Sequence, residues 1–282
     1  MIKLVIKYNG RQILELGGNI MMQEATITDR KHNSIKGQVS DSEWQTRIDL
    51  AAGCRIAYKF GWNKNIRNHF VARIPDEPDK ILINPRGLFW SELTASDFIK
   101  FDFDGNQLTE SDLPPGPAGL NFHSAVLDLK PDRGASLHIH EESSVAVSAS
   151  VKGLQFINQE SLAFYGEVAY HDYEGLADHD EEGPVIAEEL GDKKCMIMRN
   201  HGLLTVGRNI AETFAIMDRL VDTCRVQTKL MMGGGEYKQV PKEVCEHTRD
   251  QYKKRWEKKP LGTDEWGAVL RQADRDDPSF RL

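Results

Sequence analysis

Two histidines separated by a single residue, His138 and His140, constrain the fold of this chain more than any other feature of its sequence. Side chains two residues apart on a β-strand point to the same face, so both imidazoles can be directed at one point. His201, in an Arg-Asn-His-Gly segment, would add a third imidazole from a tight turn. Three protein ligands and one open position are typical of catalytic zinc, whereas structural zinc usually has four protein ligands. On spacing alone, two ordinary strand histidines are the favoured interpretation, and only the sequence around the histidines argues for a metal site.

The composition is that of an ordinary globular protein. The 282 residues, of which 40% are hydrophobic and 28% charged, are enough for one large domain or a domain with appendages. The 36 basic and 43 acidic residues give a net charge of −7. This balance argues against nonspecific binding to nucleic acid or to an anionic membrane. No apolar run approaches the roughly 20 residues of a bilayer span, so no integral membrane association is expected.

The four cysteines are widely spaced and form no Cys-x-x-Cys pair. They are typical of reduced, mostly buried thiols in a cytosolic protein. The amino terminus lacks the continuous apolar core and the small-residue cleavage site of a secretory signal. These features together predict a cytoplasmic location.

Three parts are predicted along the chain. Residues 1–40 form a hairpin and a polar linker or lid, residues 41–235 form the main domain, and residues 236–282 form a helical tail that packs on the domain or extends from it. The hairpin is predicted because Lys3–Tyr8 and Arg11–Leu16 flank Asn9 and Gly10, a pair that tolerates the positive φ angles of a type I′ turn. Around Trp256 lies a run of basic residues, for which a solvated helix face is favoured over a binding patch.

Helix and strand signals alternate through the main domain. Helices are predicted from the capping-box spacing of Ser40 and Glu43 to near Gly61, and over Asn121–Leu129, Glu141–Val151 and Ile210–Met232. Strands are predicted over His69–Ile74, Lys80–Asn84, Ile99–Phe103, Ala135–His140, Cys195–Arg199 and Leu203–Val206. Mainly antiparallel strands flanked by helices fit an α/β or an α+β fold, and the pattern alone does not choose between them.

Several motifs in one order give the chain a family resemblance. They are Leu82–Gly87, Glu92–Ser96, His138–His140, Gly166–Gly175 and Arg199–Leu203. With these motifs the stretch from Glu43 to about Met232 resembles the class II aldolase/adducin family, and it is most similar to the adducin head domain and its bacterial relatives. The resemblance implies a three-layer α/β/α sandwich around a mixed, largely antiparallel sheet. It also implies a homo-oligomer, a tetramer before a dimer, with the segment Tyr170–Tyr173 as a candidate for the wall between subunits.

The resemblance also implies a metal. In the aldolases of this family, histidines at the positions of His138, His140 and His201 hold a divalent ion. Zinc is expected first, with manganese, iron and cobalt as alternatives. The expected partner of such a site is a small-molecule substrate.

Two further devices of the sugar-phosphate aldolases are absent from the sequence. The acid/base glutamate, nineteen residues before the first metal histidine, corresponds here to Gly119, which can neither transfer a proton nor bind metal through a side chain. Two serines of the phosphate-binding segment correspond to Pro117 and Ala118, so two donors are missing. At other positions of that segment stand His69 and Arg86, which are therefore candidate substrate-binding residues.

Two residues are candidates for the missing catalytic group. Glu141 follows the second histidine directly, but for an acidic residue at this position capping of the following helix is favoured over catalysis. Tyr173 lies in the motif shared with adducin relatives and could donate a proton, or it could pack and hydrogen-bond at an interface. His123 is expected to support the fold or a metal ligand rather than to bind metal itself.

Two functional classes follow. The first is a lyase-type enzyme that acts on a small carbonyl or carboxylate compound through a metal-stabilised enolate, as in aldol cleavage, decarboxylation or dehydration. Standard sugar-phosphate aldolase activity is not expected, because Gly119 lacks the acid/base group. The alternative is an inactive adducin-like scaffold with a vestigial or structural metal site. Retention of three histidines favours the enzyme, because buried imidazoles need partners.

Overall fold

The structure is a computed structural model that describes residues 34–63, 65–175 and 182–282 and two short strands near the amino terminus. These strands, β1 (Lys7–Tyr8) and β2 (Arg11–Gln12), pair antiparallel, as the predicted hairpin requires. The remainder of the predicted hairpin and residues 20–33 of the predicted linker lie outside the described residues. Residues 1–32 and 33–282 form separate compact units.

A seven-stranded sheet forms the centre of this unit. Its strands are β3 (His69–Ile74), β4 (Glu77–Ile83), β5 (Ile99–Asp102), β6 (Ala135–Ile139), β7 (Val168–His171), β8 (Cys195–Met198) and β9 (Gly202–Gly207). The order across the sheet is β5-β4-β3-β6-β9-β8-β7. Every pair is antiparallel except β7 with β8, which is parallel. The predicted mixed, largely antiparallel sheet is therefore confirmed.

Seven helices surround the sheet in the described part of the chain. They are α1 (Asp41–Lys59), α2 (Pro117–Leu129), α3 (Glu142–Ser148), α4 (Glu182–Leu190), α5 (Ile210–Met232), α6 (Lys242–Lys258) and α7 (Glu265–Asp276). Alternate strand residues point to opposite faces, so that on β6 Leu137 packs with the large core that includes α1 and α5. Val126 of α2 and Ile186 of α4 pack against the other face. The arrangement is the predicted three-layer α/β/α sandwich.

Helix α1 begins as its sequence predicts, but the capping box is only half formed. The Ser40 hydroxyl accepts a hydrogen bond from the Glu43 amide at 3.0 Å. The Glu43 carboxylate does not accept the second hydrogen bond of a capping box, from the Ser40 backbone amide. It lies between Arg47, at 2.7 Å, and Lys100, at 2.8 Å. Glu43 and Arg47 are 1% and 0% exposed and form a buried ion pair within α1, and Lys100 links this pair to strand β5.

Two predicted helix boundaries are wrong. Helix α2 begins at Pro117 and not at Asn121, because proline fits the first helical turn, where no amide hydrogen bond is needed. Helix α3 ends at Ser148 and not at Val151. The Ser148 hydroxyl donates to the Val145 carbonyl at 2.8 Å, and such local bonds compete with continuation of a helix. Helix α5 has the predicted bounds, from its Asn209 cap to Gly233.

Strand ends differ from the predictions by one to three residues. Strand β4 starts three residues earlier than predicted, and β6 ends at Ile139, so His140 already lies beyond the strand. Strand β7 and helix α4 were not predicted at all. Both are short, and a four-residue edge strand carries too little periodicity to be recognised.

The carboxy-terminal helices pack on the same unit. On α6, Tyr252 is buried and Trp256 packs against the core with the Arg219 guanidinium over its ring at 6.0 Å, whereas Lys253 and Lys254 are exposed. This agrees with the interpretation of the basic run as a solvated helix face. On α7, the Trp266 indole donates to Asp49 of α1 at 3.3 Å. Within the described ranges no helix is long and apolar enough to cross a lipid bilayer.

Candidate metal centre

Three histidines converge at one end of the two middle strands. His138 lies on β6, His140 follows the end of that strand, and His201 lies in the turn between β8 and β9. Residue His138 is paired with Leu204 of β9, which brings the turn beside the His-x-His segment. Asn200 adopts a left-handed conformation, with φ of 57°, which asparagine tolerates better than most residues. The turn therefore places His201 against the other two histidines.

The geometry of the three rings is that of a possible metal site. Ring centroids are 4.5 Å apart for His138 and His140, and 4.8 Å apart for each of these with His201. One nitrogen from each ring can be chosen so that all three lie within 4.8 Å of one another. Such a cluster could hold a divalent ion and leave coordination positions open toward solvent.

The hydrogen bonds of His138 prepare it to bind a metal. Its Nδ1 lies 2.9 Å from the Leu203 carbonyl oxygen. A carbonyl can only accept, so Nδ1 carries the proton and Nε2 keeps its lone pair. Nε2 is also the atom that faces the second histidine, 2.7 Å from Nε2 of His140. Metal-binding histidines usually hold their second nitrogen in this way, so the donor set fits a metal.

Burial keeps these imidazoles neutral. It lowers the pKa of His138 well below its usual value, with further contributions from the neighbouring histidines. It lowers the pKa of His140 to about 3, assisted by His201, and it lowers the pKa of His201, assisted by His171. Neutral imidazole is the form that binds a metal, so near pH 7 no proton has to leave before an ion enters.

A cavity of about 470 Å³ opens over the three histidines. Side chains from several segments complete its wall: Ile66, Arg67, His69, Arg86, Pro117, Ala118, Phe122, Tyr173 and Asn200. The described wall contains no aspartate or glutamate. Arg67 and Arg86 are exposed and make no ion pair with any described residue. Among the described residues, the charged side chains that line the cavity are therefore both positive, which favours an anionic ligand.

His69 lies deeper in this cavity than the two arginines. Its ring stacks on His138 with centroids 6.2 Å apart and an interplanar angle of 15°. It covers the first turn of α2, where a Cβ added to Gly119 would be 2.5 Å from the His69 ring. Burial lowers the pKa of His69 to about 4, with smaller contributions from His201 and Arg86. His69 thus fills the space that any side chain at position 119 would need.

The two candidate catalytic residues lie in different environments. Tyr173 lines the cavity, is 53% exposed, and has its ring centroid 6.4 Å from that of His201. Glu141 is not part of the cavity wall. Its carboxylate caps α3 by accepting from the Ser144 amide at 2.8 Å, and it pairs with Arg225 at 3.1 Å. The structure therefore brings Tyr173, His69 and Arg86 to the three histidines and does not bring Glu141.

Some residues of the site have no strong sequence signal. Arg67 lies in an irregular segment. Its only sequence signal is its position two residues before His69, a candidate substrate-binding residue. Phe122 looks like an ordinary core residue of α2, yet its ring packs 5.4 Å from that of His138. His123 supports the fold as expected, with Nδ1 2.7 Å from the Ser136 hydroxyl.

Sequence comparison identifies the family. The family model described as "Class II Aldolase and Adducin N-terminal domain" matches residues 48–228. A protein of Pseudomonas aeruginosa provisionally named as an aldolase class 2 protein is 39% identical over 249 residues, which cover 88% of this chain and 96% of that protein. Alpha-adducin of Rattus norvegicus is 40% identical over 210 residues, 72% of this chain but only 28% of adducin. The chain belongs to the class II aldolase and adducin family.

Solved structures agree with this assignment. An aldolase II superfamily protein from Pseudomonas syringae has a TM-score of 0.82 and 36% identity, covering 88% of this chain and 99% of its own. An L-fuculose 1-phosphate aldolase from Glaciozyma antarctica has a TM-score of 0.74 and 25% identity, covering 90% and 96%. The class II aldolase fold that the sequence predicts is therefore confirmed.

Proposed function

We propose that this protein is a divalent-metal-dependent enzyme of the lyase type that acts on a small, anionic carbonyl or carboxylate compound. The observation that carries the proposal is the convergence of three neutral imidazoles at the floor of an open cavity with a positively charged rim. Zinc is the first candidate, and manganese, iron and cobalt are the alternatives.

A divalent ion held by the three histidines would polarise a carbonyl or carboxylate oxygen and stabilise enolate-type charge. The chain's own residues have separate tasks. Arg67 and Arg86 bind the anionic group of the substrate, because guanidinium matches a carboxylate or phosphate. Tyr173 reaches the same space with a hydroxyl that can donate a proton to the reacting compound. His69 contributes a polar group beside His138.

A standard sugar-phosphate aldolase reaction is not part of this proposal. Gly119 offers no acid/base side chain, and Pro117 and Ala118 offer no hydroxyl at the start of α2. The His69 ring occupies the space beside that helix turn. Loss of one general acid/base is expected to lower a rate by about 10²–10⁴-fold.

The experiment that tests the function has two stages. Protein purified without added metal is analysed for bound ions, and the loaded protein is then screened against keto acids, hydroxy acids and sugar acids, with fuculose 1-phosphate and rhamnulose 1-phosphate included. We expect close to one ion per chain, turnover of an acid, and little or no turnover of the sugar phosphates. Sugar-phosphate turnover at ordinary rates of about 1–10³ s⁻¹ would contradict the proposal.

A scaffold is the second candidate function, and the similarity to alpha-adducin favours it. The chain spans about a quarter of that protein's length. A scaffold needs neither an exchangeable ion nor a ligand in the cavity. Metal-loaded protein that binds no small anion and turns over none of the tested acids would support the scaffold over the enzyme.

The two rim arginines provide a prediction for ligand binding. Replacing either Arg67 or Arg86 with glutamine should weaken binding of oxalate to the metal-loaded protein by about 10-fold or more, because each variant loses a charge-assisted hydrogen bond. Isothermal titration calorimetry measures the affinity. Arg271→Gln is the matched control, since this arginine lies on α7 outside the cavity. Equal oxalate affinities in all three variants would show that neither Arg67 nor Arg86 binds the ligand.

We also propose that the protein is a cytoplasmic homo-oligomer, a tetramer before a dimer, with the Tyr170–Tyr173 segment near the subunit boundary. Tyr170 and His171 are engaged within the chain, by the Leu154 amide and by Glu189. Tyr173 is exposed and free to contact a neighbour. Light scattering at micromolar concentration is expected to give a mass two or four times that of the 31.9 kDa chain. A single species near 32 kDa would show that the protein is a monomer and would contradict this proposal.

A further inference from the structure

We propose that Asn68 is a positioning residue that holds the backbone of His140, so that the second imidazole of the triad is directed at the metal position. The inference rests on the proposed function, because it concerns the same three histidines. It adds a residue that lies outside the cavity wall and acts through His140 alone.

His140 needs such a support because the strand ends before it. The pairing of β6 with β9 ends at Ile139, and its pairing with β3 ends at His138. The backbone amide of His140 therefore lies beyond both ladders. A ligand whose backbone is not held can turn its ring away from the other two, and a metal site depends on the fixed geometry of all its ligands.

The Asn68 side chain replaces the missing sheet partner. Its Oδ1 accepts a hydrogen bond from the His140 amide at 3.2 Å. Its Nδ2 donates to the Trp62 carbonyl at 3.0 Å. The position thus requires one acceptor and one donor, and an amide side chain offers both at a fixed spacing. The opposite orientation of the amide would place N–H against N–H and oxygen against oxygen, so these two partners fix how the side chain lies.

Asn68 is itself held in place. It is 3% exposed, and its backbone carbonyl accepts from Nδ2 of Asn84 at 3.2 Å. Oδ1 of Asn84 accepts in turn from the Phe70 amide at 2.9 Å. A buried polar network with satisfied hydrogen bonds is rigid. Asn68 therefore gives His140 a fixed support, and Nε2 of that histidine lies 2.7 Å from Nε2 of His138.

Two substitutions test the hydrogen bond to His140. Asn68→Ala removes the acceptor, and we expect its zinc dissociation constant to rise about 10–100-fold, the usual effect of losing a group that orients a metal ligand. Asn68→Asp keeps an oxygen acceptor at the same place, so its zinc affinity should stay within about threefold of wild type. Competition with a fluorescent zinc chelator measures both affinities.

Cobalt provides a spectroscopic readout that a purely structural role would not change. The d–d absorption bands of bound cobalt report the geometry of its ligands. We expect these bands to change in Asn68→Ala and to keep their wild-type positions in Asn68→Asp. The thermal midpoint of the metal-free protein is measured for each variant, so that lost stability is not mistaken for a displaced ligand.

Gln227→Ala is the matched control. Gln227 is also a buried amide, 1% exposed, that bridges two backbone groups. It accepts from the Gln155 amide at 2.7 Å and donates to the Gly153 carbonyl at 2.8 Å, and it does not line the cavity. Its variant should lose stability but keep the wild-type zinc affinity and cobalt spectrum. An equal loss of zinc affinity in Gln227→Ala would overturn the proposal, since general loosening would then explain both variants.

Other outcomes would also overturn the role of Asn68. These are wild-type zinc affinity with an unchanged cobalt spectrum in Asn68→Ala, or an Asn68→Asp variant that binds zinc as weakly as Asn68→Ala. If the wild-type protein binds none of the four candidate metals, the metal-dependent function itself fails, and the role of Asn68 fails with it. If the wild-type protein binds zinc and Asn68→Ala binds it equally, only the role of Asn68 fails.

Hydrogen exchange in the wild-type protein covers the case in which Asn68→Ala does not fold. We expect the His140 amide of the metal-free protein to exchange at least about 100-fold more slowly than an unprotected amide, because its bond to a buried oxygen must open first. Exchange at the rate of an unprotected amide would show that Asn68 does not hold His140.

Discussion

Replacing His138, His140 or His201 singly with alanine is expected to reduce bound metal from about one ion per chain to less than about a tenth. Loss of a residue that merely orients a ligand already costs about 10–100-fold in affinity, and loss of a ligand should cost more. The chain should remain folded, because the strands that carry the histidines are held by hydrogen bonds on both sides and do not depend on the ion. Elemental analysis of dialysed protein gives the metal content.

His247→Ala is the matched control for this experiment. His247 is an exposed histidine on α6 and does not line the cavity, so its variant should keep the wild-type metal content. Wild-type metal content in all three triad variants would show that the ion binds elsewhere. Loss of metal from His247→Ala would point to the same conclusion.

Replacing Glu43 with alanine is expected to lower the free energy of unfolding by about 3–5 kcal/mol, the usual cost of breaking a buried ion pair by removing one partner. The Arg47 guanidinium would lose its carboxylate while it stays 0% exposed, and it would keep only the Phe98 carbonyl, at 2.6 Å, and the Ala95 carbonyl, at 3.4 Å. Lys100 would keep Glu77 as its partner, at 2.5 Å. Urea-induced unfolding followed by circular dichroism measures the change.

A surface ion pair supplies the comparison for Glu43. Lys242 and Glu246 are 3.6 Å apart on α6, with the lysine side chain 71% exposed. Glu246→Ala should therefore change stability by no more than about 0.5 kcal/mol. A loss below about 1 kcal/mol for Glu43→Ala would mean that solvent reaches Arg47 in the variant and that the pair contributes little.

The sequence predicted those features that depend on neighbouring residues. The strand from His69 to Ile74 and the helix from Ile210 to Met232 match their predicted bounds, because alternation, capping and terminating glycines are local signals. The His-x-His spacing predicted a shared direction for two rings by the same kind of argument. The family resemblance then supported His201 as the third histidine and provided the layer order.

Other features depend on contacts between distant segments and could not be predicted. Gly119 is in the sequence a position without a functional group, and only the structure shows that the ring of His69, fifty residues earlier in the chain, covers it. Glu141 directly follows a metal histidine, yet its carboxylate turns to Ser144 and Arg225. Nearness along the chain made Glu141 a candidate catalytic residue, but helix capping, which the sequence favoured, and an ion pair determine where the side chain lies.

The three histidines and the part of the cavity formed by His69 and the start of α2 belong to different segments of the polypeptide. The histidines are fixed to the two middle strands and the turn beside them, whereas His69, Gly116 and Gly119 are at a strand start and a helix start. Substitutions in the second group can change which molecules are accepted without disturbing the ion. A larger residue at position 119 must be paired with a smaller one at position 69, because the His69 ring occupies the space beside Gly119. Redesign of this protein for a new substrate should begin with that pair and leave the histidines unchanged.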